Sequence, residues 1–169
     1  YIVLEDADLE DAIEVCVQAR IYNNGETCIA AKRFVVVESV YDKFKDGFVK
    51  AMSALKMGDP TSDAADLGPM ARKDLRDGLH DQLMESVAKG ATILCGGEIP
   101  DKTGFFYPAT VIENVDRGQP AYGEELFGPV ASLIKAKDAE DAMRIANDSR
   151  FGLGGGILTK DTDKAIELA

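Results

Sequence analysis

The chain has 169 residues, 46% of them hydrophobic, enough for one domain with a substantial core. Lys and Arg number 19 against 30 Asp and Glu, a net charge of −11, so no basic face is available for nucleic acid; the acidity reads as solubility. No run approaches the roughly 20 apolar residues of a membrane span, which excludes that partner too.

Ile2 to Leu4 reads as a short strand. Asp8 suits an N-cap, and Leu9, Ile13, Val17 and Arg20 carry a helix toward Asn23-Asn24-Gly25, where it stops. Phe34 to Val37 reads as a buried strand. Ser39, with Asp42 three residues on, is expected to cap a second helix along Val40, Phe44, Phe48, Met52 and Leu55, ended by Gly58-Asp59-Pro60. Leu75, Leu79, Leu83 and Val87 predict a long helix over Lys73–Lys89, with Gly90 as its stop. Ala91 to Cys95 is strand-like, and Gly96-Gly97 and Gly104 punctuate a turn region. Tyr107 to Val115 reads as extended and Val130 to Ala136 as a strand. Ala139 to Asn147 is a helix, Ile157-Leu158-Thr159 part of a strand, and Asp161 to Ala169 a last helix. Strands alternating with helices predict an α/β layered fold, a mostly parallel sheet flanked by helices. There is no internal repeat and no low-complexity linker.

Cys16, Cys28 and Cys95 cannot all pair, and none has a Cys-x-x-Cys or His-rich neighbourhood. A reduced, cytoplasmic protein without a metal site is expected. Cys16, on an amphipathic helix, and Cys95, at a strand end, read as small buried hydrophobes. The chain opens Tyr1-Ile2-Val3-Leu4, with neither an initiator Met nor a signal-like segment, and reads as a piece of something longer.

Cys28 is the informative residue. It follows a flexible polar turn, Asn23-Asn24-Gly25, and precedes the β-branched run Phe34–Val37. At such a junction, backbone N–H groups can favour a thiolate and hold a developing oxyanion. Gly25 permits a tight turn, and Asn23 and Asn24 tolerate left-handed backbone. A half-buried loop cysteine would look the same on composition alone. Lys32 and Arg33 lie close by, on what reads as a solvated approach to the strand.

The motif Asn24-Gly25-Glu26-Thr27-Cys28 resembles the catalytic-cysteine signature of the NAD(P)-dependent aldehyde dehydrogenases. Glu124-Glu125-Leu126-Phe127-Gly128-Pro129-Val130 resembles the Glu-Glu-hydrophobic-Phe-Gly-Pro segment that follows it in that family. Gly58-Asp59-Pro60, Leu67-Gly68-Pro69-Met70 and Phe151-Gly152-Leu153 fit in the same order, so the resemblance runs from Tyr1 to Ala169. It implies that residues 1–169 are a nucleophile-bearing catalytic domain, with the dinucleotide-binding domain and a C-terminal oligomerisation tail outside it. It also implies NAD or NADP as cofactor, a small aldehyde as substrate and a homo-oligomer in the full-length protein.

The implied chemistry is covalent. The thiolate adds to the aldehyde carbonyl, the thiohemiacetal gives hydride to the nicotinamide, and the resulting thioester is hydrolysed. A free thiol with pKa ~8.5 is only about 3% thiolate at pH 7, so such a site must favour the thiolate or supply a base. By resemblance Cys28 is the nucleophile, while the general-base glutamate and the oxyanion Asn lie outside this chain, which alone should not turn over. Glu125 and Phe127 match contacts to the ribose hydroxyls and the nicotinamide; read without the resemblance, Glu125 is one more surface acid. Glu124 and Glu26 read as loop supports. His80, the only histidine, reads as a helix-surface residue, and nothing in the sequence brings it to Cys28 as a Cys–His hydrolase would require.

Ile29-Ala30-Ala31-Lys32-Arg33-Phe34, Leu67 to Arg72 and Asp74-Leu75-Arg76 are most similar to bacterial succinate-semialdehyde dehydrogenases. A carboxylate-bearing substrate calls for an arginine or hydroxyls near the tunnel mouth. Some such enzymes place Arg six residues before the nucleophile, where this chain has Tyr22. Arg20 is the alternative, either as that ligand or as a solvated helix residue. A different aliphatic aldehyde, or a purely structural or oligomerisation role, is the competing expectation.

Overall fold

The structure, a computed structural model, describes residues 1–169. Six strands form one sheet: β1 (Ile2–Val3), β2 (Arg33–Val37), β3 (Thr92–Cys95), β4 (Thr110–Glu113), β5 (Val130–Ala136) and β6 (Ile157–Leu158), in the order β3-β4-β5-β2-β1-β6. Every neighbouring pair is parallel except the edge pair β3–β4. The predicted α/β layered, mostly parallel sheet is therefore what the chain forms.

Side-chain alternation sends β2 and β5 into two cores. Val35, Val37, Val130 and Ile134 face one side, under α3 (Lys73–Ala88), α4 (Pro120–Gly123) and α5 (Ala139–Asn147). Phe34, Val36, Ala131 and Leu133 face the other, under α1 (Leu9–Ile21) and α2 (Glu38–Ser53). On α2 the stripe Tyr41, Phe44, Phe48 and Met52 is fully inside, and the Phe48 ring lies 5.1 Å from Phe34 and 5.4 Å from Phe44. Burying each such side chain stabilises by about 1.5–3 kcal/mol. A last helix, α6 (Thr162–Leu168), follows β6.

Asp8 caps α1 through the Glu10 N–H, as expected. The expected Ser39 cap is absent: β2 passes directly into α2, Val37 occupies the N-cap position without a side-chain bond, and Ser39 is already helical. The extended reading of 107–115 shrinks to Thr110–Glu113, since Tyr107 packs into the core and Asn114 turns at φ 58°. Pro120–Gly123 forms a short helix with no counterpart in the reading of the sequence. Gly90, at φ 107°, does follow the end of α3.

Two loops enter adjacent strands at the same end of the sheet. Arg33 pairs with Ser132 in the β2–β5 register, and Phe127 precedes Ser132 by as many residues as Cys28 precedes Arg33. The register itself thus sets the cysteine loop and the Glu-Glu-Leu-Phe-Gly-Pro loop side by side. Both lead into strand N-termini, opposite to the strand C-terminal crevice usual for ligands in open α/β sheets.

Candidate active site

The cysteine loop begins where α1 tightens into a 3₁₀ turn over Tyr22–Gly25. Asn23 and Asn24 take left-handed φ of 51° and 56°, a conformation asparagine tolerates. Gly25 follows at φ 74°, and a Cβ there would collide with the Gly128 carbonyl and with the Arg20 guanidinium. Gly128 is equally confined, its missing side chain replaced by Leu79 and Met70. The two motif glycines let the two loops touch.

Long-range hydrogen bonds bring in a third loop. Asn24 Nδ2 donates to the Pro69 carbonyl at 3.2 Å, and Asn24 Oδ1 accepts the Gly68 N–H at 3.1 Å. The Glu26 carboxylate accepts the Ala71 N–H at 3.1 and 3.2 Å. Residues 24–28, 68–71 and 125–128 therefore converge, although the sequence scatters them. Cys28 is exposed on a turn of the first of these segments and is the one exposed thiol; Ile29, next to it in the chain, is 63% exposed, and Tyr22, six residues before it, is 62% exposed. Cys16 is fully buried, and burial pushes its thiol up to about 12; Cys95 is only half-buried.

Arg20 proves to be an internal brace. It is completely buried, with Nη2 donating to the Gly25 carbonyl at 3.0 Å and Nη1 to the Val130 carbonyl at 3.2 Å, while Nε has no partner. Burial lowers its guanidinium to about 10, and the charge of Glu125 acts in the opposite sense. Burial overturns the solvated reading of Arg20, whose two Nη groups are both spent on backbone carbonyls.

Lys32 also departs from expectation. Rather than lying along a solvated strand approach, its ammonium folds back and donates to the Thr27 carbonyl at 2.8 Å and the Cys28 carbonyl at 3.0 Å. It pairs with Glu125 Oε1 at 3.0 Å and stands 5.8 Å from the centre of the Phe127 ring. Burial pulls this ammonium below its ordinary value, opposed by the hydrogen bond to Glu125. Arg33, its neighbour, donates to the carbonyls of Ile145, Ala146 and Asp148, closing the C-terminus of α5. Nothing local in the sequence announces either fold-back.

Glu125 and Phe127 are both half-buried. Gln82 on α3 supports their loop, its Nε2 donating to Glu124 Oε2 at 2.8 Å and to the Glu125 carbonyl at 3.5 Å. Beside Phe127 opens a cavity of about 370 Å³ lined by Asp74, Leu75, Gly78, Leu79 and Gln82. Leu75, the first leucine of the helical stripe, is 38% exposed and lines this cavity. Gly78 leaves open space above the helix, and that glycine within a helical stripe is the signal that could have marked the cavity in the sequence. His80 is half-buried, its Nδ1 3.0 Å from the Tyr107 hydroxyl. No cluster of His, Cys, Asp or Glu forms a metal site, and no helix is long and apolar enough to cross a membrane.

The aldehyde dehydrogenase family model matches residues 1–169. The chain belongs to the aldehyde dehydrogenase family. This aldehyde dehydrogenase chain is 50% identical over 169 residues to the succinate semialdehyde dehydrogenase (NAD(P)+) Sad of Escherichia coli (strain K12), covering 100% of the chain and 37% of that protein. It is 48% identical over 161 residues to the succinate-semialdehyde dehydrogenase (NADP(+)) of Mycobacterium avium (strain 104), covering 95% of the chain and 34% of that protein. Among solved structures, the succinic semialdehyde dehydrogenase of Streptococcus pyogenes in complex with NADP+ superposes with a TM-score of 0.95 at 34% identity, covering 99% of this chain and 37% of that one. The chain thus spans about a third of the length of the relatives it matches.

Proposed function

We propose that the full-length protein oxidises an aldehyde, succinate semialdehyde foremost, to the carboxylate with NAD(P)+, using Cys28 as the nucleophile. The observation that carries this reading is the convergence of the three motif loops on one exposed thiol beside a half-exposed carboxylate and ring. Residues 1–169 are on this reading the nucleophile-bearing domain, with the base and the dinucleotide-binding domain contributed from outside it.

The residues suit the cofactor. Glu125 Oε2 makes no hydrogen bond, leaving an acceptor for ribose hydroxyls, and Phe127 offers a ring face at the edge of a cavity of about 370 Å³. When bound, NAD(P)+ supplies the hydride acceptor that the oxidation requires. The Cys28 thiolate forms the C–S bond to the carbonyl carbon, and the backbone N–H of Cys28 is assigned to stabilise the oxygen as it gains charge. Water then cleaves the acyl–sulfur bond, releasing the acid and freeing Cys28. Ile29, next to Cys28 in the chain, offers the approach an exposed apolar side chain.

Support for succinate semialdehyde comes from the relatives named above. A second reading, a different aliphatic aldehyde, draws on Arg20: its buried guanidinium is spent on backbone carbonyls and is not offered to a substrate carboxylate. Turnover by the full-length protein, followed as NADH or NADPH formation, tests both. Activity with succinate semialdehyde that disappears in Cys28→Ala is the expected result. Activity confined to uncharged aldehydes would sink the substrate, and a fully active Cys28→Ala would sink the mechanism.

A further inference from the structure

We propose that Lys32 is a positioning residue that ties the nucleophile turn to the cofactor-binding carboxylate, holding Glu125 ready for the ribose before the cofactor arrives. The inference rests on the cofactor role proposed for Glu125.

The ammonium makes three polar contacts. Two are hydrogen bonds donated to the carbonyls of Thr27 and Cys28, at 2.8 and 3.0 Å, and the third is an ion pair with Glu125 Oε1 at 3.0 Å. An ammonium so engaged fixes the direction of the Cys28 peptide group and the rotamer of Glu125 together. Only one carboxylate oxygen is taken; Oε2 stays without a partner and can accept from a sugar hydroxyl without the ion pair breaking. The Lys32 side chain is 16% exposed against 37% for Glu125, so the cation is the shielded partner and the carboxylate the one that meets solvent. Burial pulls the Lys32 ammonium down, and the neighbouring carboxylate opposes that pull. Phe127, 5.8 Å from the ammonium, belongs to the same cluster. Arg20, the other cation near Glu125, is committed to backbone carbonyls and does not substitute for Lys32.

The arrangement predicts a preorganisation effect on cofactor binding. In the full-length protein, Lys32→Met should weaken the calorimetric Kd for NAD+ or NADP+ about five- to tenfold, as expected for a partly shielded ion pair. Because Lys32 acts through Glu125, Glu125→Gln should weaken binding similarly, and the double variant should be no weaker than Glu125→Gln alone. Lys32→Arg, which keeps the charge, should recover part of the loss. Thermal melts of each variant report folding, and the rate of Cys28 alkylation by iodoacetamide, measured without cofactor, reports the turn; it should change in Lys32→Met and stay put in Glu125→Gln. Additive losses in Kd, or wild-type Kd together with wild-type alkylation in Lys32→Met, would overturn the inference. A wild-type protein that binds neither dinucleotide would instead sink the cofactor reading and the Glu125 half with it, while the alkylation rates still decide whether Lys32 sets the turn.

Discussion

Arg20 shows how much a single side chain can carry beneath a catalytic loop. Its two Nη bonds join the last turn before Cys28, at Gly25, to the first residue of β5, at Val130. An unbranched apolar replacement of similar length, Arg20→Met, would leave both carbonyls without donors in the interior, at about 1–3 kcal/mol each. Removing a buried charge with an unpartnered Nε offsets part of that cost. Urea unfolding of Arg20→Met should therefore show a net loss of about 1–3 kcal/mol. As a brace rather than a substrate ligand, it should leave the kcat/KM ratio between carboxylated and neutral aldehydes unchanged. A selective loss of activity toward the carboxylated substrate, with stability intact, would restore Arg20 to the tunnel mouth.

At the scale of elements, α5 anchors the site from behind, because its last carbonyls receive Arg33 at the start of β2. Its N-terminus is held by Asp138, whose carboxylate accepts the Asp141 N–H at 2.9 Å. Asp138→Ala should cost about 1 kcal/mol in a denaturation midpoint, the usual value for losing an N-cap; no change would mean that tertiary packing alone sets this end of the helix. The Asp8 cap of α1 and the Gly90 stop of α3 depend on neighbours in sequence and were read from the letters; the Asp138 cap, equally local, was not. So were the central strands, Phe34–Val37 and the mostly apolar Val130–Ala136, whose composition matches burial on both faces. The Ser39 cap failed because a strand passing straight into a helix leaves no unpaired turn for a serine to close. Pro120–Gly123 is too short to show any period. Within the site, the motif residues were visible, but their clamps were not. Asn24 to Pro69 spans 45 residues and Arg20 to Val130 spans 110, and no local pattern encodes bonds at such separations. Lys32 is the sharpest case, since a polar residue just before a strand looks solvated until the fold turns it back.

For the molecule as a whole, acidic side chains work in two directions. At a net charge of −11 they repel one another, and lowering pH toward the isoelectric point near 4.5 relieves that repulsion. Yet seven carboxylates, those of Glu5, Asp6, Asp59, Asp74, Asp77, Asp141 and Asp148, are held below their ordinary values, in each case chiefly by a hydrogen bond. Asp6 shows what such bonds join: it accepts from the Thr159 hydroxyl at 2.6 Å and from the Lys160 and Asp161 N–H groups at 3.0 Å, fastening the turn after the first strand to the segment that enters the last helix. A carboxyl whose folded value lies below its unfolded one contributes stability above the unfolded value, and that contribution disappears as pH falls through the folded value. The unfolded values are 3.8 for Asp and 4.5 for Glu. The melting temperature should accordingly hold or rise from pH 7 to about 5 as repulsion fades, then fall steeply below about 4 as these carboxylates protonate. Salt separates the two effects, since screening should raise the melting temperature at pH 7, where repulsion dominates, and leave the hydrogen-bonded acid limb in place. Asp6→Asn, which cannot titrate, should lower the melting temperature at pH 7 and make the fall below pH 4 shallower. A melting temperature that is flat from pH 5 to 3, or an acid limb unchanged in Asp6→Asn, would mean that these hydrogen-bonded carboxylates do not hold the fold together.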